Sequence, residues 1–167
     1  MGVTELLSRL SDAFSYDPET GVVTRREARG NRSAGSAVGT RSSFGHLSVQ
    51  MEGRTLQVHR VAWALHYGEW PAFDIDHANG IPHDNRITNL RLATASENLR
   101  NSRPYRKRSG LPRGVTRARG RRFVARITAQ PGCCAQYLGT FDTALGASDA
   151  YRFAAQSQFG AFYRGEQ

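Results

Sequence analysis

The sequence predicts an α+β fold made of two small sheet-and-helix units, and three observations predict it. Residues 74–98 run strand, polar loop, strand, capped helix, with a hairpin region before them. Residues 113–158 read as three short strands followed by one helix with a stripe of small residues. Between Glu97 and Asp142 there is no acidic residue, but there are eleven Arg or Lys. The expected domains are an N-terminal helix and β-hairpin region over 1–57, a compact core over 58–101, a basic linker over 102–112, and a three-stranded antiparallel sheet packed on one helix over 113–163.

The first region opens with a helix over Val3 to Phe14. Asp17-Pro18-Glu19-Thr20-Gly21 has the chemistry of a turn and leads into a strand over Val22 to Arg25. Arg29 to Ser43 is rich in Gly and Ser and reads as a loop. His46 to Met51 alternates, with Leu47, Val49 and Met51 on one side. Glu52-Gly53-Arg54 turns the chain, and Thr55 to Val58 returns as a hairpin. Val58, Val61, Ala62 and Leu65 then fall at i, i+3, i+4 and i+7, the spacing of one helix face.

Asp74 to His77 and Leu90 to Ala93 are short strands around a loop bearing Gly, Pro and Asn. Thr94-Ala95-Ser96-Glu97 is a capping box that starts a helix to about Asn101. This unit gathers Asp76, His77, Asn79, His83, Asp84, Asn85, Asn89 and Asn98. If the helix folds back across the strands, Asp76 and Asn98 can meet. Two oxygen ligands with waters and phosphate oxygens suit Mg²⁺. A neutral His77 beside them can deprotonate an attacking water. His46 and His66 read as ordinary residues, and Asn85 as a turn residue of the loop.

Asp76-His77, then Asn89-Leu90, then Asn98 resembles the His-Asn-His (HNH) nuclease motif of phage and intron-encoded homing endonucleases. Val58-His59-Arg60, Glu69-Trp70-Pro71, Ile75-Asp76-His77 and Asn79-Gly80 carry the same resemblance, which covers about Asp17 to Arg103. It implies a ββα-metal fold and phosphodiester hydrolysis. Carried over, His77 is the general base, Asp76 a metal ligand, Asn89 the residue that holds the loop, and Asn98 the second protein ligand. His59 and His83 are supporting candidates. Many members have His where this chain has Asn98, and a softer ion such as Zn²⁺ therefore fits less well. The expected cofactor is one Mg²⁺ or Mn²⁺ per active site.

In the C-terminal module, Arg113 to Thr116, Arg122 to Thr128 and Gln136 to Phe141 are expected strands, with a turn at Pro131-Gly132. Phe123, Ala125 and Ile127 point to one face. Ala147, Ala150, Tyr151 and Ala154 form the helix stripe that lies on it, leaving Arg on the other face as a candidate for the DNA groove. Arg113-Gly114-Val115, Tyr137-Leu138-Gly139-Thr140-Phe141-Asp142-Thr143 and Ala150-Tyr151 resemble the Apetala/ethylene-response-factor (ERF) DNA-binding domain. That resemblance implies DNA-facing Arg113, Arg122, Arg126, Thr128, Tyr137 and Thr140; the basic Arg117 and Arg119 join them as candidates. Thr116, Ala118 and Gly120 stand where plant members place base contacts, so their recognition sequence does not transfer. Gly146 replaces a capping acid, at about 1 kcal/mol relative to Ala.

Composition narrows the partners. The formal charge is +9, and of 23 basic residues only Lys107 is Lys. A balance this basic points to an anionic partner, most often nucleic acid; the two resemblances imply double-stranded DNA, and Arg offers a planar fork to phosphate and guanine. No apolar run approaches the roughly 20 residues of a bilayer span, and no basic leader opens the chain. Cys133 and Cys134 are adjacent and read as reduced thiols, which fits a cytoplasmic setting. No obligatory protein partner is evident. The expectation is a metal-dependent DNA endonuclease with site preference from its C-terminal module, nicking as a monomer. The alternative is a non-catalytic DNA-binding transcriptional regulator.

Overall fold

The computed structural model describes residues 2–101, 110–129 and 133–163. Most of the expected linker and the Pro131-Gly132 turn lie outside them. The architecture is mixed α and β with several small antiparallel sheets. It divides into two compact units, 1–94 and 95–167. The helix that follows the second strand of the Asp76 unit therefore counts with the second unit, whereas sequence grouping keeps it with the core before it.

In the first unit, α1 (Val3–Ala13) leads directly into β1 (Phe14–Asp17), which pairs antiparallel with β2 (Val22–Arg25). The Asp17 carboxylate closes this hairpin by accepting from Glu19 N at 3.0 Å and Thr20 Oγ1 at 2.7 Å, a local alternative to backbone pairing. The strand β1 is not evident in the sequence, which reads as a helix to Phe14 followed by the turn from Asp17. A three-stranded sheet follows: β3 (Thr40–Arg41), β4 (Leu47–Met51) and β5 (Arg54–Gln57), in that order. The β4–β5 turn puts Glu52 at φ 49° and Gly53 at φ 77°, the left-handed pair that a tight hairpin requires.

Helix α2 (Val58–Tyr67) buries Val58, His59, Val61, Ala62, Trp63 and Ala64. Together with Leu10, Phe14, Val23, Val49, Met51, Ile75 and Leu90, its apolar members Val58, Val61, Ala62, Trp63 and Ala64 make one core. The final pair is β6 (Asp74–His77) against β7 (Leu90–Ala93), with His77 opposite Leu90 and Asp76 opposite Arg91. Cross-strand partners share a face, so this register fixes which side chains can meet.

The second unit opens with α3 (Ala95–Asn101). The strands β8 (Val115–Arg117), β9 (Phe123–Ile127) and β10 (Gln136–Phe141) form one antiparallel sheet with β9 central. Helix α4 (Ala144–Phe159) starts at Thr143, whose hydroxyl accepts from Gly146 N at 3.1 Å. It buries Ala147, Ser148, Tyr151, Ala155 and Phe159 against Val115, Ala125 and Ile127. Ala150 and Ala154 are only half-buried, and Ser148 and Ala155 take deeper places than the periodic reading gives them.

Candidate active site

The β6–β7 loop is held by its own polar side chains. The Asn89 Oδ1 accepts from Asn79 N at 2.9 Å, while its amide donates to the Asp84 carbonyl at 2.7 Å. Asn79 in turn donates to Asp84 Oδ2 at 2.7 Å and accepts from Ile81 N at 2.8 Å. A loop of this length leaves backbone groups without ladder partners, and Asn side chains can supply both donors and acceptors. Arg86 closes the ring onto Asp84 at 2.6 Å, and this contact holds the Asp84 carboxyl well below the usual carboxylate range.

The loop also leans on the first hairpin. Tyr16 donates its hydroxyl to the Asn85 carbonyl at 2.7 Å, and Ile87 N donates to the Pro18 carbonyl at 3.1 Å. Burial first, and the Asp17 charge second, push the Tyr16 phenol up to about 12. Gly21 makes this approach feasible: at φ +75°, a Cβ there would stand 2.6 Å from the Asn85 carbonyl carbon.

Asn85 is the residue that this bracing serves. Its side chain is buried, and its Oδ1 lies 3.1 Å from His77 Nε2. With an oxygen facing Nε2, that nitrogen carries the ring proton and Nδ1 is the basic nitrogen. Burial pushes His77 below the ordinary histidine range, partly offset by the Asn85 hydrogen bond. The ring is therefore neutral at neutral pH. Asp76, also buried, accepts from Arg91 Nε at 2.8 Å and pairs with its NH2 at 2.7 Å. The register makes this ion pair, since Asp76 and Arg91 stand directly across the two strands.

Two further histidines stand beside His77. His46, just before β4, and His59, in the first turn of α2, have ring centroids 5.5 and 5.2 Å from it, and 5.4 Å from each other. Burial, followed by the charges of His77, His46 and Arg60, pushes His59 down to about 3, and burial lowers His46. One nitrogen of each ring comes within 4.8 Å of the others. His83 lies apart from this group, with Nδ1 3.2 Å from Arg41 NH2.

Of the residues singled out in the sequence, Asp76, His77, Asn89 and His59 thus lie in the first unit, as described. Asn98 is on α3, in the second unit, and half-buried. Sequence reasoning takes His46 as ordinary and Asn85 as a turn residue of the loop, and passes over Arg91. Arg91 carries a signal, because pairing two four-residue strands in antiparallel register sets it opposite Asp76. The convergence of His46 is purely tertiary.

In the second unit, Arg126 is exposed and in register with exposed Tyr137, whose hydroxyl is 2.7 Å from Thr140 Oγ1. Thr128 and Arg119 are exposed, while Arg113 is half-buried and donates to the Arg100 carbonyl at 3.3 Å. Arg122 pairs with Asp142 at 3.1 Å. Arg117 shares its register with Phe123 and lies over that ring at 5.9 Å, towards the helix side of the sheet. Val124, expected among the exposed Arg, is buried. Both cysteines are free and exposed.

No helix among the described residues is long and apolar enough to cross a membrane. None of the curated proteins matches the chain. A solved structure described as "DNA binding and cleavage by the HNH homing endonuclease I-HmuI" is similar at 25% identity, over 48% of this chain and 46% of that one, with a TM-score of 0.35. The alignment thus spans under half of that protein. Residues 56–100 match the HNH endonuclease family HNH_3. The matched segment runs from the end of β5 through most of α3 and carries Asp76, His77, Asn89 and Asn98.

Proposed function

We propose that the chain is a metal-dependent DNA endonuclease of the phage or mobile-element type, with site preference supplied by an ERF-like module over 113–163. The observation that carries this reading is His77 itself. It is a buried, neutral imidazole one residue after a buried carboxylate, held through Nε2 by Asn85, inside the segment that matches an HNH endonuclease family. A general base has to be unprotonated at working pH and aimed by a second group.

In this reading His77 Nδ1 accepts a proton from water while Asn85 keeps the Nε2 proton in place. Water attacks phosphorus in line, and the products carry 3′-hydroxyl and 5′-phosphate ends. Arg91 holds the Asp76 carboxylate, and the Asn79–Asp84–Asn89 ring keeps the loop closed behind the base. Asp76 and Asn98 would hold one Mg²⁺ or Mn²⁺. The buried Asp76 carboxylate is the hard oxygen donor that such an ion needs, with waters and DNA phosphate completing the shell. When bound, the ion supplies charge stabilisation at the phosphate and the leaving oxygen. In the second unit the face bearing Arg126 and Tyr137 would grip adjacent double-stranded DNA.

Incubation of the purified chain with supercoiled DNA tests the proposal. Nicked circles should accumulate with Mg²⁺ or Mn²⁺, and EDTA should stop the reaction. Intact supercoiled DNA at protein concentrations that saturate binding would remove the hydrolase reading.

A further inference from the structure

Three imidazoles from three separate chain segments converge in the first unit, and hydrolysis as proposed uses one of them. The centroids of His46, His59 and His77 form a nearly equilateral triangle, 5.2 to 5.5 Å on a side. Three imidazoles on one tetrahedral ion, with metal–nitrogen bonds of about 2.0–2.1 Å, place their centroids about 5.2 Å apart. The triangle therefore already has the dimensions of a tris-imidazole site. One nitrogen of each ring lies within 4.8 Å of the others, and an ion would draw them to the roughly 3.4 Å of a shared tetrahedral site.

The hydrogen bonding points the same way. Nδ1 of His46 and Nδ1 of His59 are buried with no hydrogen-bond partner among the described residues. Buried polar atoms are seldom left so. His77 presents Nε2 to the Asn85 oxygen, and ligating histidines characteristically give their other N–H to such an acceptor. The group contains no carboxylate. Neutral imidazoles select Zn²⁺, Cu²⁺, Ni²⁺ or Fe²⁺ and not Mg²⁺.

We propose that His46, His59 and His77 form a three-imidazole site for a divalent transition ion of the Zn²⁺ class, distinct from the Asp76 and Asn98 ligands of the catalytic ion. Its occupant takes the lone pair of His77. Resting on the reading of His77 as general base, this makes the site inhibitory: Zn²⁺ bound there stops Mg²⁺-supported cleavage.

Cobalt provides the probe. The full chain carrying Cys133→Ser and Cys134→Ser, so that the exposed thiols do not bind metal, is stripped with EDTA and titrated with Co²⁺. A visible band of tetrahedral cobalt should saturate at one equivalent and disappear on adding Zn²⁺ but not Mg²⁺. His46→Phe keeps a ring in place and removes one donor, and should weaken Co²⁺ binding by about 100-fold or more. Zn²⁺ should raise the Tm of the parent and not of this variant. No band up to millimolar Co²⁺, or a band of unchanged affinity in His46→Phe, overturns the site. If His46→Phe does not fold, X-ray absorption on the parent decides, with nitrogen ligands supporting the site and oxygen ligands alone overturning it. These readouts do not depend on cleavage. A chain that binds Co²⁺ in this way but leaves DNA uncut under every condition keeps the site and loses the hydrolase reading.

Discussion

The Oδ1 of Asn85 lies 3.1 Å from Nε2 of His77, and it reaches that position because Tyr16 and the Gly21 turn hold the Asn85 backbone from behind. The orientation of a single imidazole is thus tied to a hairpin some sixty residues earlier in the chain.

Asn85→Ala should lower the cleavage rate by about 10–100-fold, the range for losing a residue that orients a functional histidine. Asn85→Asp keeps the acceptor but adds a negative charge, which raises the His77 pKa. The acidic limb of its pH–rate profile should therefore move upward. Profiles of both variants beside the parent check this. An unmoved limb in Asn85→Asp would show that Asn85 does not act on His77.

Gly21→Ala should destabilise the first unit by about 2 kcal/mol or more, because strain at positive φ is compounded by a clash with the Asn85–Arg86 backbone. Gly53, at a similar φ of +77°, has nothing within 4 Å of where a Cβ would stand. Gly53→Ala should cost only about 1 kcal/mol. Urea denaturation of both variants gives the comparison, and equal losses would mean that the contact at Gly21 is dispensable.

Acid should weaken the fold before the carboxylates titrate. His59 is pushed down to about 3 in the folded protein, mainly by burial, and returns to about 6.5 when unfolded. Its folded pKa is the lower one, so the unfolded state binds the extra proton. Stability is complete above about pH 6.5 and falls as pH drops towards 3, by up to about 1.4 kcal/mol per pH unit. His46 and His77 shift in the same direction. Denaturation at pH 7.5, 6 and 5 in metal-free buffer measures this slope, and His59→Gln should flatten it. A parent protein equally stable across that range would contradict the burial argument.

Arg126→Ala should weaken binding to all duplexes and reduce the slope of log K against log salt by about 0.9 if this side chain neutralises one phosphate. Arg122 is already paired with Asp142, so Arg122→Ala should have the smaller effect. Salt titrations on one duplex resolve the two. Unchanged affinity and slope in the double variant would remove the exposed sheet face as a DNA contact.

Much of this architecture is legible in the sequence, because its signals are local. The Glu52-Gly53 turn, the periodic Val58, Val61 and Ala62, and the alternation of Phe123, Ala125 and Ile127 each fix an element from neighbouring residues. The strand β1 is hidden because four residues between a helix and a turn show too little alternation. β3 is only two residues long, and its pairing with β4 replaces any pattern of its own. Val124 is buried although its neighbours Arg122 and Arg126 are exposed, an outcome of sheet packing that alternation does not contain. At the site, Asp76 and His77 stand out because their order relative to Asn89 and Asn98 is itself a motif. His46 and Asn85 gain their meaning only from the rings and atoms that folding brings beside them.

Single-turnover cleavage of a labelled duplex or supercoiled DNA by the parent and His77→Ala, with DNA binding measured on the same preparations, tests the central claim most directly. The general base acts on water and not on phosphate, so the variant should lose cleavage by about 10²–10⁴-fold while its DNA affinity stays within about twofold of the parent. Cleavage by His77→Ala at the parental rate, with Mg²⁺ saturating, would contradict the assignment of His77 and the mechanism built on it.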